Sequence, residues 1–251
     1  MKPANQPLDR AFAVIETVAK SDRALSITEI ARYCNISVPS VHRIASHLEQ
    51  RHLLKRAFGS KKFIVGTALV RLSAAAVEAS IRADEVVKVL EALSNELGEH
   101  CQLGVRSGNE MVFSTTARAA RGTGLHIEQG ERAPLYCCST GKLFLAEMAP
   151  EEFAAWLRST PRQAATRRTL VSERKLRAAI STVREEGWAA SNEELAVGIV
   201  GCAVPVRASD GRLVAGLGVT VPTARTSFGE LQRFRPMMKK SAQTIAKAIT
   251  G

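Results

Sequence analysis

Cysteine is scarce in this chain and poorly spaced for a structural role. Five of its 251 residues (Cys34, Cys101, Cys137, Cys138, Cys202) form an odd set with no CxxC pair. That argues against a disulfide framework or a ribbon-type zinc site. Nothing at the front resembles a secretion signal: Met1 to Arg10 is polar, contains two prolines and has no apolar stretch behind its charges. No run approaches the ~18 apolar residues that a spanning helix needs. The signatures GxSxG, HExxH, P-loop and GxGxxG are missing, and Gly122-Thr123-Gly124 is too short for a nucleotide loop. Internal repeats and low-complexity tracts are missing too. These absences lead us to expect a protein of a reducing cytoplasm, not an enzyme, with no cofactor, no metal and no membrane partner.

Hydrophobic residues make up 45% of the chain and charged residues 24%, which fits one large globular domain or two modest ones and excludes wholesale disorder. The net charge is +11, from 35 Lys and Arg against 24 Asp and Glu. Such an excess points to a polyanionic partner. It is unevenly spread: residues 1–66 hold eleven basic against five acidic side chains, about three times the charge density of the remainder.

The same segment carries short helical signals. Leu8, Ala11, Phe12, Ile15, Val18 and Ala19 recur at helical spacing, so a first helix turns this stripe inward. Ser26-Ile27-Thr28-Glu29 matches a capping box, and the helix that follows should end near Cys34-Asn35, where Asn tolerates a left-handed exit. Ser37 is placed to cap another helix, with Pro39 in its first turn and Val41, Ile44, Ala45 and Leu48 facing inward. Two short helices joined this way describe a helix-turn-helix, whose second helix enters the DNA major groove.

Leu53–Arg56 and Phe63–Val65, around Gly59-Ser60-Lys61-Lys62, read as a basic-tipped hairpin, the wing of a winged helix. Lys61 and Lys62 would meet phosphate, while Arg43 and Ser40 are better placed for base edges. The DNA-facing set expected on this reading is Arg10, Ser37, Val38, Ser40, Val41, His42, Arg43, His47, Lys61 and Lys62. The competing readings of this pattern are a solvated basic face and a winged helix that binds protein.

Thr67 to Ile81 predicts a connecting helix and Asp84 to Leu97 another, closed by Gly98. Strands are expected at Cys101–Arg106, Met111–Thr116, Leu125–Glu128, Trp188–Ser191, Gly201–Arg207 and Arg212–Val221, with Asp210-Gly211 a hairpin turn. Helices are expected at Ser139–Met148, Pro150–Ser159, from Ser172 to Glu186, and from Ser227 to Ile249, with Pro236 awkward inside the last. The simplest architecture is α+β, an antiparallel sheet flanked by helices.

Several segments together resemble the IclR (isocitrate lyase regulator) family of bacterial transcription factors. In front they are Leu8–Phe12, Thr28–Ala31, Val41-His42-Arg43 and Phe63–Gly66. Behind lie Gly130–Pro134 leading to Gly141-Lys142, Glu185–Ala189, Asn192-Glu193-Glu194 with Gly198, and Cys202–Val206. The resemblance implies a winged helix-turn-helix over 1–66, a linker helix over 67–82 and a GAF-like effector-binding domain over 83–251. It also implies a homodimer or a homotetramer built as a dimer of dimers, a roughly palindromic double-stranded operator, and a small organic or aromatic acid as effector. Such a regulator represses or activates, commonly at a catabolic operon.

Carried over position by position, the effector candidates are Tyr136, Ser139, Thr140, Asn192, Cys202, Gly218 and Thr220. Arg118, Arg121 and Leu125 on the preceding loop join them as further candidates. Two positions depart from the family pattern: Tyr136 stands where His is usual, and Asn192 where Asp is common. An amide can donate to an anion that a carboxylate would repel. The bland readings are Cys202 as a buried small hydrophobe and Gly218 as a packing position. A rival function is thiol-based redox sensing through Cys137, Cys138 or Cys202.

Overall fold

Ser26 and Asn35 set the frame of the first unit. The Ser26 hydroxyl accepts from the Glu29 N–H at 3.3 Å, and the Glu29 carboxylate accepts from the Ser26 N–H at 2.8 Å. Asn35 ends the helix in the left-handed region, at φ 53°. The Ser26 N–H, the Ser26 hydroxyl and the Arg23 guanidinium together hold the Glu29 carboxyl down at about 2. The structure, a computed structural model, describes residues 7–81, 84–118 and 127–250. The chain divides into two compact units, Met1–Ala76 and Val77–Gly251.

In the first unit α1 (Pro7–Ala19), α2 (Ile27–Cys34) and α3 (Val38–Gln50) lead into a hairpin of β1 (Leu54–Arg56) and β2 (Phe63–Val65). The hairpin is antiparallel, with Lys55 opposite Ile64. Val14, Val18, Leu25, Ile30, Val41, Ala45, Leu54 and Phe63 form its core. The expected stripe of α1 holds only at Val18 and Ile15. Val14 and Val18 point inward, whereas Leu8 and Phe12 are 66% and 55% exposed. Ser37 stands at the N-cap of α3, but its hydroxyl donates to Ser40 Oγ at 2.9 Å instead of capping the backbone. α4 (Thr67–Ile81) follows and leaves Val70 and Leu72 exposed.

In the second unit α5 (Asp84–Leu97) precedes a six-stranded antiparallel sheet. Its strands are β3 (His100–Ser107), β4 (Glu110–Ala117), β5 (Arg132–Pro134), β6 (Ala189–Asn192), β7 (Ile199–Arg207) and β8 (Leu213–Pro222), in the order β5-β4-β3-β8-β7-β6. Between β5 and β6 lie α6 (Ser139–Glu147), α7 (Pro150–Ser159) and α8 (Glu173–Glu186). A 3-10 turn, Phe228–Phe234, leads into α9 (Arg235–Thr250).

Strand alternation sorts the sheet into two faces. Cys101, Leu103, Cys202, Val204, Leu217 and Val219 pack under α5 and α9 in one core. A second core joins β4, the segment after β5 and α6 to α8 through Met111, Phe113, Leu135, Phe144, Trp156 and Ile180.

Three expectations need correction. Leu125 and the residue after it lie outside the described residues, and Ile127 and Glu128 are not strand. A strand does form at Arg132–Pro134, paired with Glu110–Val112; at three residues it is too short to show a periodicity. Pro236 breaks nothing: α9 begins at Arg235, so the ring sits in the first turn, where no N–H is needed.

Candidate functional site

Burial of Val41, Ala45 and Leu48 fixes the rotation of α3 and turns His42, Arg43 and His47 outward. Those three side chains make no intramolecular hydrogen bond or ion pair among the described residues. Val38 and Ser37 are also exposed at the start of the helix; Ser40 is half-buried beside Ser37, and Arg10 half-buried on α1. Val41 must leave the expected DNA-facing set. It is fully buried in the core of the unit, because it starts the inward stripe that Ala45 and Leu48 continue.

The wing is fastened by Arg56. Its guanidinium donates to Glu49 on α3 at 3.1 Å and to the Lys61 carbonyl at 2.8 Å, and lies 4.1 Å over the Phe63 ring. That leaves Lys61 and Lys62 exposed at the tip, next to a fully exposed Phe58 that sequence reasoning passed over. The available signal was an aromatic residue inside a Gly/Ser/Lys turn.

The second candidate site is a cavity of about 150 Å³ at the N-terminus of α6. Cavities of that order accept a benzene-sized molecule. Its polar wall is Gln102, Ser139, Thr140, Ser191 and Thr220; its apolar wall includes Phe113, Ile127, Leu195 and Val200, with Glu131 and Arg132 also lining it. Two glycines let α6 settle close to the sheet. A Cβ on Gly216 or Gly218 would stand 3.1 Å from the Thr140 methyl.

Cys138 at the N-cap makes no side-chain cap, and the Lys142 N–H bonds the Cys138 carbonyl at 3.1 Å. The N–H groups of Ser139 and Thr140 therefore belong to the first turn, which no intrahelical carbonyl can satisfy, at the positive end of the helix dipole. With the Ser139 and Thr220 hydroxyls they suit an anion, the Thr140 hydroxyl being committed to Cys138 Sγ at 3.6 Å. Arg132 adds a guanidinium, paired with Glu110 at 3.0 Å. Among the described residues, no three His, Cys, Asp or Glu side chains converge as a metal would require.

Behind this wall lies a buried ion pair. Lys142 Nζ donates to Glu194 Oε1 at 2.6 Å and to the Ala190 carbonyl at 2.9 Å, with the two side chains 2% and 6% exposed. Burial pushes the Glu194 carboxyl up; the Lys142 charge opposes it without cancelling it. The pair ties α6 to the segment after β6.

The expected effector residues scatter. Ser139, Thr140 and Thr220 line the cavity together. Gly218 lies beneath Thr140 as a packing position. Cys202 must be removed: it is on the opposite sheet face, its thiol 3.6 Å from Met238 Sδ, because Gly201 takes the cavity-facing register. Tyr136 is spent elsewhere, its hydroxyl donating to the Gln163 carbonyl at 3.0 Å and accepting from the Gln163 N–H at 2.8 Å. Asn192 is not in the lining; its backbone N–H donates to Glu194 Oε1 at 3.2 Å. Arg118 is exposed and outside the lining, whereas Arg121 and Leu125 lie outside the described residues.

Sequence reasoning missed Gln102, Arg132 and Ser191. The one visible signal was Gln102, a lone amide in an apolar strand. It also gave no role to the Lys142–Glu194 pair.

Four of the five thiols are buried. Burial pushes Cys137 up to about 12, helped by Cys138 and Glu194, and Cys202 to about 12. Cys101 and Cys138 are raised for the same reason. Without thiolate at neutral pH, these groups react slowly.

Comparison with known proteins gives two family matches. Residues 7–57 match the IclR helix-turn-helix domain, and residues 74–247 match the family described as bacterial transcriptional regulator IclR C-terminal. SauR of Cupriavidus necator is 27% identical over 246 residues, covering 98% of each chain. The HTH-type transcriptional regulator XynR of Escherichia coli is 25% identical, again over 98% of each. In fold, the chain resembles an IclR homolog of Microbacterium hydrocarbonoxydans crystallised with 4-hydroxybenzoate. That match has a TM-score of 0.60 and 22% identity, over 97% of this chain and 99% of the other.

Proposed function

The chain belongs to the IclR family of bacterial DNA-binding transcriptional regulators, and on that premise we propose that a small carboxylate effector sets its affinity for a roughly palindromic operator. The observation that carries this reading is the cavity at the head of α6. There the first-turn N–H groups of a helix meet the hydroxyls of Ser139 and Thr220, with Arg132 also in the lining. A carboxylate sits at the positive end of α6, and its carbon skeleton rests on Phe113, Ile127 and Leu195. The homolog bound to 4-hydroxybenzoate supports a ligand of this size and class.

On the DNA side, Arg43 reads base edges from the major groove with guanine its best partner, while His42, His47, Val38 and Ser37 line the same approach. Lys61 and Lys62 take phosphate, and Phe58 at the wing tip is an apolar wedge suited to a minor-groove step. A second copy covers the exposed Leu8 and Phe12 of α1 and Val70 and Leu72 of α4. The resulting two-fold symmetry gives the palindrome.

The working division is the DNA-binding part over 1–66, the linker helix over 67–82 and the effector part over 83–251. In this scheme the effector favours one arrangement of the dimer, and the linker carries that preference to the spacing of the recognition helices. The effector can move operator affinity only by its own differential affinity for the two states. Catabolic genes in the cytoplasm of its host are the setting this reading implies.

Fluorescence anisotropy with duplexes from the gene's own upstream region tests the DNA half. Binding above a scrambled duplex, weakened by Arg43→Ala, is expected. Equal binding to both duplexes, or indifference to Arg43→Ala, overturns it.

A further inference from the structure

The cavity contains one buried acceptor that no group among the described residues satisfies. Gln102 is 3% exposed and lines the cavity from β3. Its Nε2 donates to Thr220 Oγ1 at 2.7 Å, which commits one end of the amide. Its Oε1 has no hydrogen-bond partner among the described residues. A buried amide oxygen left unpaired is costly, and native proteins seldom keep one without a reason.

The surroundings hold this amide in place. Gly218 lies directly opposite Gln102 in the sheet, and a Cβ there would come within 2.8 Å of Nε2. Only a residue without a side chain lets the amide lie flat on β8 and reach Thr220. On the neighbouring strand Gly201 keeps a second space open: a Cβ there would stand 3.7 Å from Ser139 Oγ and 3.8 Å from Thr220 Oγ1. The lone acceptor and the donors at the head of α6 thus share one small, partly apolar chamber.

We infer that the effector carries a hydrogen-bond donor as well as its carboxylate, so that it is a hydroxy acid, and that Gln102 is the residue that selects it. The inference rests on the carboxylate reading above and deepens it. The carboxylate takes the first turn of α6 and the Ser139 hydroxyl. The ligand hydroxyl donates to Gln102 Oε1, and the skeleton between them stays short to fit about 150 Å³. A site built to pair a hydroxyl discriminates strongly against the analogue lacking it, since the protein group is then left buried and unpaired. The opposite preference marks the opposite chemistry. An amide turned over would present N–H groups and favour ligands with an extra acceptor in place of the hydroxyl.

Calorimetric titration of the full-length protein with matched acids decides the matter. The probes are benzoate with 3- and 4-hydroxybenzoate, 4-methoxybenzoate as the acceptor-only control, and propanoate with 2- and 3-hydroxypropanoate. In at least one skeleton the hydroxylated acid is expected to bind about tenfold tighter or more than its parent. Gln102→Leu should remove that preference, so that the hydroxylated acid and its parent bind alike. Should Gln102→Leu fail to fold, Thr220→Val serves instead. It frees Nε2, lets the amide turn, and should weaken or invert the preference.

Acids that bind without regard to the hydroxyl overturn the inference but leave the carboxylate site standing. So does a preference that survives both variants, or a tighter fit for the methoxy acid. Binding of none of these acids overturns the carboxylate reading, and this inference with it.

Discussion

Removing the cation of the buried pair should destabilise the second unit in a pH-dependent way. Lys142→Met leaves Glu194, 6% exposed, with its carboxylate buried and its one cationic partner among the described residues gone. Breaking a buried pair from one side costs about 3–5 kcal/mol, because the remaining charge is uncompensated. The carboxyl escapes part of this cost by taking a proton. Burial already raises its folded-state pKa, and loss of Lys142 removes the main opposing influence.

A carboxyl whose folded pKa lies above its unfolded value of ~4.3 contributes stability that is present below the unfolded pKa and lost as pH rises through the folded one. The variant should therefore lie closer to wild type at pH 5 than at pH 8. Urea unfolding followed by tryptophan fluorescence measures this, since Trp156 and Trp188 both lie in the second unit. With a slope of about 1–3 kcal/mol per molar urea, the midpoint should fall by more than ~1 M at pH 8. The double variant Lys142→Met/Glu194→Leu should recover most of the loss. A loss below about 1 kcal/mol, or an equal loss at both pH values, would refute the reasoning.

Four further outcomes follow from named contacts. Arg43→Ala should cost about 1–3 kcal/mol of operator binding and relax specificity at one base pair, whereas Lys61→Ala and Lys62→Ala should each reduce the slope of log affinity against log salt by about 0.9. Anisotropy over a salt series separates the two effects. Gly218→Ala, whose methyl would press on the Gln102 amide at 2.8 Å, should lower stability by about 1–3 kcal/mol and weaken acid binding, read by thermal melting and calorimetry.

The buried thiols predict alkaline weakness. With folded values near 12 for Cys137 and Cys202, stability is intact below the unfolded thiol value of ~8.5 and falls as pH rises above it. The loss is about 1.4 kcal/mol per pH unit for each thiol, visible in melts from pH 8 to 11. Alkylation at pH 7.5 should leave DNA binding and its response to acid unchanged. Loss of the response would restore the thiol-sensing reading.

Local rules made much of the first unit legible. The Ser26–Glu29 box, the Asn35 exit and the inward Val41, Ala45 and Leu48 are written in spacings of three and four. The first helix shows the limit of that reasoning. Of the expected stripe, Val18 and Ile15 do pack inward, but Val14 joins them in place of Leu8 and Phe12, a choice that only packing against α2 and α3 makes.

The cavity was harder to read because distant strands build it. Gln102 and Thr220 are 118 residues apart and meet only through the β3–β8 pairing. The choice between Gly201 and Cys202 turned on a single step of alternation, which places adjacent residues on opposite faces. Family resemblance named Ser139, Thr140 and Thr220, which line the cavity. It gave no hint that Tyr136 would be spent holding Gln163 or that Asn192 would stand outside the lining.

The most direct test of the central claim is operator binding measured with and without a carboxylic acid that calorimetry shows to occupy the α6 cavity. Fluorescence anisotropy at fixed salt should show the acid changing operator affinity by about 5- to 150-fold, and operator DNA should change the acid's affinity by the same factor. Ser139→Ala should diminish both. An acid that binds free and DNA-bound protein equally well would contradict the account.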